Sequence, residues 1–266
     1  MLKDKKLFLF DIDGTIAIGD RLYDGSIELL DYIDSVGGKA YYITNNSTKS
    51  NADYVKKFDK CFGVKTTENQ FITSGFMTKS FLMDTYCDKK IFVMGTDSYV
   101  EDLRRSGLIV TTEVEEDIEL IVVAYDSELN YEKLTKVCRV LFEKDVPFYA
   151  TNPDLRCPID FGFIPDCGAI CDMITATTDK KPVYLGKPNK KVVEMCLSDS
   201  GFSKEETIVV GDRLYTDIAC GINAGVDTCV LFTGEAKKED MKDTPYKANY
   251  EFDNVRAFLE AILGEK

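Results

Sequence analysis

The chain has 266 residues, with 33 Lys and Arg against 46 Asp and Glu, a formal charge of −13, and no histidine. Without histidine there is no Ser-His-Asp or Cys-His pair, no histidine-ligated zinc and no phosphohistidine, so any general acid or base is a carboxylate, Lys, Tyr or Cys. The acidic balance repels polyanions, and Lys5-Lys6, Lys56-Lys57 and Lys89-Lys90 are isolated pairs rather than a basic face, so no nucleic-acid polymer is expected as a partner.

The length fits one or two domains at roughly 150 residues each, enough to bury a core without disulfides or structural metals. The first apolar run, Leu7–Phe10, stops at Asp11 and is too short for a signal peptide. No stretch approaches the ~20 apolar residues of a membrane helix, so a cytoplasmic protein with no membrane partner is expected. Its nine Cys then read as reduced thiols.

Leu7–Phe10 reads as a strand buried on both faces. Ser26–Val36 carries Ile27, Leu30, Ile33 and Val36 at helical spacing and is stopped by Gly37-Gly38. Lys39–Thr44 is the next strand, and Ser47–Phe58 reads as a helix capped by Asn46 or Ser47. In the middle, Ile91–Met94, Leu120–Ala124 and Val146–Ala150 are strand-like, and Tyr131–Glu143 is an amphipathic helix. The tail returns to the same alternation: strand Val183–Leu185, helix Asn189–Leu197, strand Thr207–Val210, helix Thr216–Ala224, strand Thr228–Phe232 and helix Val255–Leu263. Strands alternating with helices predict an α/β, doubly wound parallel sheet.

Chemistry concentrates at four strand ends, where open α/β sheets bind ligands. Asp11-Ile12-Asp13-Gly14-Thr15 follows the first strand. Two carboxylates that close need a cation or a retained proton, and hard oxygen ligands favour Mg²⁺; an Asp-Gly pair alone would be an ordinary turn. Thr44-Asn45-Asn46-Ser47 offers a hydroxyl and backbone N–H groups suited to phosphate, or simple helix capping. Gly186-Lys187-Pro188 lacks Walker A spacing, and by itself Lys187 would be a surface lysine. Gly211-Asp212-Arg213-Leu214-Tyr215-Thr216-Asp217 brings two more acids to another strand end, a pattern that also suits a helix N-terminus. Cys157, Cys167 and Cys171 lack paired zinc spacing and read as small core residues.

The ordered set of an Asp pair, a Thr-Asn pair, a Lys and a second Asp pair resembles the haloacid dehalogenase superfamily. Thr151-Asn152-Pro153-Asp154 with Gly168-Ala169 looks like the cap of its IIA branch, which holds para-nitrophenylphosphatase-like and nucleotide or sugar phosphatases. The resemblance implies a Rossmann-like core over 1–80 and 182–266 and an inserted α/β cap over 81–181. The long separation of Asn45 from Lys187 fits such an insertion, expected to close over the site as a lid.

The resemblance further implies that Asp11 is the nucleophile forming an aspartyl-phosphate, and that Asp13 protonates the leaving oxygen and then activates water. Asp11, the Asp13 backbone carbonyl and Asp212 would hold Mg²⁺. Thr44, Asn45 and Lys187 would bind the phosphoryl group, and Asp217 would support Lys187 or a metal-bound water. Asn152 and Asp154 are substrate-side cap candidates. The expected activity is Mg²⁺-dependent hydrolysis of a small phosphomonoester such as a sugar phosphate or nucleotide. A phosphomutase or phosphotransferase using the same intermediate, and a non-catalytic phosphate-ligand binder, are the competing expectations. Branch members often pair through the cap, so a homodimer is one arrangement the resemblance allows.

Overall fold

The apolar runs Leu7–Phe10, Leu120–Val123 and Thr207–Gly211 become strands buried along their whole length. The computed structural model describes residues 1–47, 49–159 and 161–264. In chain order it runs β1 (Leu7–Phe10), β2 (Ala17–Ile18), β3 (Arg21–Leu22), α1 (Ser26–Ser35), β4 (Lys39–Thr44), α2 (Asn51–Lys57), β5 (Phe71–Thr73), α3 (Ser74–Thr85), β6 (Lys90–Met94), α4 (Asp97–Arg105) and β7 (Ile109–Thr111). It continues with β8 (Leu120–Val123), α5 (Tyr131–Glu143), β9 (Phe148–Ala150), β10 (Arg156–Ile159), β11 (Gly162–Pro165), α6 (Cys167–Thr178) and β12 (Val183–Tyr184). The last elements are α7 (Lys191–Ser200), β13 (Thr207–Gly211), α8 (Ala219–Ala224), β14 (Asp227–Leu231), β15 (Tyr250–Phe252) and α9 (Val255–Gly264). No helix of the described residues is long and apolar enough to cross a membrane.

The chain divides into two units. The first comprises Met1–Thr44, Asn51–Ile72 and Lys187–Lys266, the second Asn45–Ser50 and Thr73–Gly186. Residue 81, the expected start of the inserted cap, lies inside α3, and the second unit resumes at Thr73.

The first unit is built on a six-stranded sheet of order β15-β14-β13-β1-β4-β5. Every residue of β1 is buried. Alternate side chains point to opposite faces, so Phe8 and Phe10 join a cluster with Leu29 and Ile33 of α1 and Val255, Phe258 and Ile262 of α9. On the other face, Leu7 and Leu9 are equally buried, and α7 packs on β1 and β4. Helices therefore cover both faces, as a parallel sheet requires.

The second unit carries its own parallel sheet, of order β12-β9-β8-β6-β7. Phe92, Ile121 and Val123 pack with Val137, Leu141, Ile170 and Ile174 of α5 and α6. Ile91, Val93, Leu120 and Val122 pack with Leu82, Val100 and Leu103 of α3 and α4. An antiparallel hairpin, β10–β11, extends this unit. Cys167 and Cys171 are buried free thiols in its core.

Three local expectations change. The helix expected over Ser47–Phe58 starts at Asn51. Ahead of it the Asn45 carbonyl accepts from Ser74 Oγ and Asn152 Nδ2, at 2.6 and 2.8 Å; Thr48 lies outside the described residues. The strand expected at Val183–Leu185 does not join the first sheet but pairs with β9 in the second, since a short apolar run does not identify its partner. The helix expected from Thr216 opens with a π turn, Leu214–Ile218, before α8.

Candidate active site

The register of three neighbouring strands assembles the site. Phe10 of β1 lies opposite Val210 of β13 on one side and Tyr42 of β4 on the other. Asp11, Asp212 and Thr44 therefore emerge from adjacent carboxyl ends. Chain order also reverses here, with β4 and β5 to one side of β1 and β13–β15 to the other. This is the switch point at which open α/β sheets leave a crevice for ligands.

Lys187 lies at the centre of the cluster. Its Nζ donates to Asp11 Oδ1 at 2.6 Å, Asp217 Oδ1 at 2.6 Å and the Ile43 carbonyl at 2.9 Å. An ammonium has three protons, and these three acceptors match them. Burial opposes the charge, but attraction to Asp11 and Asp217 outweighs it and holds the lysine above its ordinary range.

Asp217 comes from the π turn, where its second oxygen accepts the Arg213 N–H at 3.0 Å. Burial raises its carboxyl against the pull of Lys187, and it settles at about 6. Asp212 accepts the Glu235 N–H at 2.7 Å and the Thr15 hydroxyl at 3.2 Å. Burial, then repulsion from Asp11 and Asp217, pushes it up to about 8. Thr15 Oγ1 also lies 3.4 Å from Asp11 Oδ2, so one hydroxyl spans the carboxylates of two strands.

Glycines make room for this crowding. A Cβ on Gly234 would stand 2.0 Å from Asp212 Oδ2, and one on Gly211 would stand 2.2 Å from the Asp217 Cβ. Gly14, at φ +99°, combines a left-handed backbone with an approach of 2.8 Å to Asp212 Oδ2. Gly234→Ala is expected to cost about 1–3 kcal/mol by overpacking, a loss that thermal unfolding would register.

Asp11, Asp212 and Asp217 each offer an oxygen within 4.8 Å of the others, and all three are buried. With all three acids ionised, three carboxylates and one ammonium leave two negative charges in a dehydrated space. An all-oxygen donor set of that charge fits a hard divalent cation. Burial first, and then repulsion from the neighbouring acids, raises the carboxyls of Asp212 and Asp217, and such a cation would relieve the repulsion.

Asp13 lies just beyond this group, 29% exposed, with Oδ1 3.9 Å from Lys57 Nζ. Thr44 is buried at the end of β4. Asn45, Asn152 and Asp154 form a hydrogen-bonded group of the second unit. There Asn45 Nδ2 donates to Asp154 Oδ1 at 3.2 Å, and the Asp154 N–H donates to Asn152 Oδ1 at 3.0 Å. Sequence reasoning assigned no role to Thr15, Gly211, Gly234 or Lys57. Thr15 and Gly211 stand inside motifs already singled out, whereas nothing local to Gly234 or Lys57 signals what they approach.

Family profiles place this arrangement. The haloacid dehalogenase-like hydrolase profile matches residues 8–109, and a second profile of the same kind matches residues 184–258. An acid sugar phosphatase from Staphylococcus haemolyticus is 30% identical over 261 residues, 98% of each chain. Among solved structures, a 4-nitrophenylphosphatase from Thermotoga maritima is 34% identical over 98% of each chain, with a TM-score of 0.89. A p-nitrophenyl phosphatase from Archaeoglobus fulgidus is 28% identical over 97% of this chain and 99% of its own, with a TM-score of 0.86. From the ordered acids and lysine, the doubly wound sheet and these likenesses, the chain belongs to the haloacid dehalogenase-like hydrolases, in their IIA, p-nitrophenylphosphatase-like branch.

Proposed function

We propose that this phosphomonoesterase hydrolyses small phosphate esters, sugar phosphates foremost, with Mg²⁺ and through an aspartyl-phosphate on Asp11. The observation that carries the reading is Lys187, fully buried and bonded at once to Asp11 and Asp217 beside the Asp212 carboxylate. A carboxylate nucleophile meets an anionic phosphoryl group only where positive charge is already fixed, and Lys187 fixes it. The acid sugar phosphatase name of the staphylococcal relative supports the substrate class.

Asp11 would attack phosphorus as the bond to the leaving oxygen breaks, splitting a hard displacement into two steps. Asp13 would give that oxygen its proton and then take one from the water that cleaves the acyl phosphate. General acid–base help of this kind is worth about 10²–10⁴ in rate. Lys187 and Thr44 would hold the transferring group, and Asp217 would keep the lysine aimed. Asp11, the Asp13 carbonyl and Asp212 would hold Mg²⁺, which supplies charge neutralisation at the phosphoryl oxygens.

Phosphate release from p-nitrophenyl phosphate and a sugar-phosphate panel tests the reading; the expected result is turnover in Mg²⁺ that stops with EDTA. Asp212→Asn separates binding from folding. Removing one of three crowded carboxylates is expected to raise the metal-free melting temperature while abolishing the rise that Mg²⁺ produces in the parent. A Mg²⁺-induced rise that survives in Asp212→Asn would refute its place at the metal.

A further inference from the structure

Lys56 and Lys57 end the same helix but live differently. The Lys56 side chain is 77% exposed, that of Lys57 only 10%. A lysine that buried needs a counter-charge, because desolvating an ammonium is expensive. Its counter-charge is Asp13, with Nζ 3.9 Å from Oδ1, and the ammonium also stands 5.7 Å from the centre of the Phe62 ring. The π turn Phe58–Phe62 that follows α2 supplies that ring. The sequence thus brings an aromatic ring and a carboxylate to one cation.

We infer that Lys57 is a positioning residue for proton delivery to the leaving group, acting through Asp13. The inference rests on the reading of Asp13 as the acid. In the first step Asp11 bonds to phosphorus, the phosphorus–oxygen bond to the leaving group breaks, and the Asp13 proton passes to the departing oxygen. The new negative charge then resides on Asp13, next to the Lys57 ammonium. At 3.9 Å the pair lies beyond direct hydrogen-bond distance, so Lys57 holds the carboxyl in position without engaging it as a donor.

The dependence on leaving group tests this. p-Nitrophenolate is a stable anion that departs without a proton, whereas phenolate gains much more from one, and the two esters have nearly the same shape. The quantity to read is kcat/KM, which covers only the steps up to transfer onto Asp11. Lys57→Met keeps an apolar stem on Phe62 and removes the charge. It is expected to lower kcat/KM for phenyl phosphate about 10-fold or more, a share of the ~10²–10⁴ of general acid catalysis, and that for p-nitrophenyl phosphate less than about 3-fold. Lys57→Arg is expected to recover part of the phenyl phosphate rate.

Equal losses on both esters, or no loss on either, would overturn the role of Lys57. Asp13→Asn, assayed in parallel, distinguishes the two levels. If it shows the selective loss and Lys57→Met does not, the inference fails and the reading of Asp13 stands. If Asp13→Asn itself shows no selectivity, or the parent turns over neither ester, the reading beneath fails.

Discussion

Asp11→Asn is expected to lose at least about 10⁴-fold in phosphatase activity while remaining folded, because it removes the nucleophile and little else. The amide keeps the size of the carboxylate, and its oxygen can still accept from Lys187, whose Nζ donates to Asp11 Oδ1 at 2.6 Å in the parent. The change also relieves crowding, since Asp11 is one of the two charges that raise Asp212. Metal-free stability is therefore expected to hold or rise as activity falls, the opposite of what a folding defect would give. Rapid acid quenching with a phosphorus-labelled substrate should leave label on the parent protein and none on Asp11→Asn. Asp13→Asn should hold more label than the parent, because breakdown of the intermediate loses its base while p-nitrophenolate still departs. Full activity in Asp11→Asn would eliminate the mechanism.

What the sequence revealed about this site follows a physical divide. Asp11, Thr44 and Asp212 were legible because each ends or follows a strand whose run of apolar residues is unmistakable, and parallel pairing brings such ends together. Lys187 was legible as a residue type and not as a location. Its preceding strand, β12, belongs to the second sheet, and its three hydrogen bonds span 30, 144 and 176 residues of chain. Gly234 is visible only once Asp212 lies where a Cβ would be. Helix α4 escaped notice because Asp97–Arg105 is mostly polar, and only Tyr99, Val100 and Leu103 reach the core. The hairpin β10–β11 escaped because its short strands contain proline and expose Phe163. Burial periodicity exposes elements with one strongly apolar face; long-range hydrogen bonds and close backbone approaches leave no such trace.

Lys187→Met is expected to be the most damaging single change to both fold and function. Removing one partner of a buried ion pair costs about 3–5 kcal/mol, since the charges left behind are uncompensated. For a chain this long that corresponds to a melting temperature lower by roughly 6–20 °C. Activity should fall together with it, because Lys187 is the ammonium hydrogen-bonded to Asp11. The pH dependence carries the diagnosis. Asp217 at about 6 and Asp212 at about 8 both lie above the ordinary carboxylate value, so the folded state holds their protons more tightly than the unfolded chain does. Their contribution to stability is therefore full at low pH and is lost as pH rises through about 6 and then about 8. Lys187 restrains that loss at Asp217, and without it the loss deepens. In EDTA, the gap in melting temperature between parent and Lys187→Met is expected to be small near pH 5 and to widen toward pH 8. A gap that is the same at both ends would mean that the lysine stabilises the fold by packing rather than by charge.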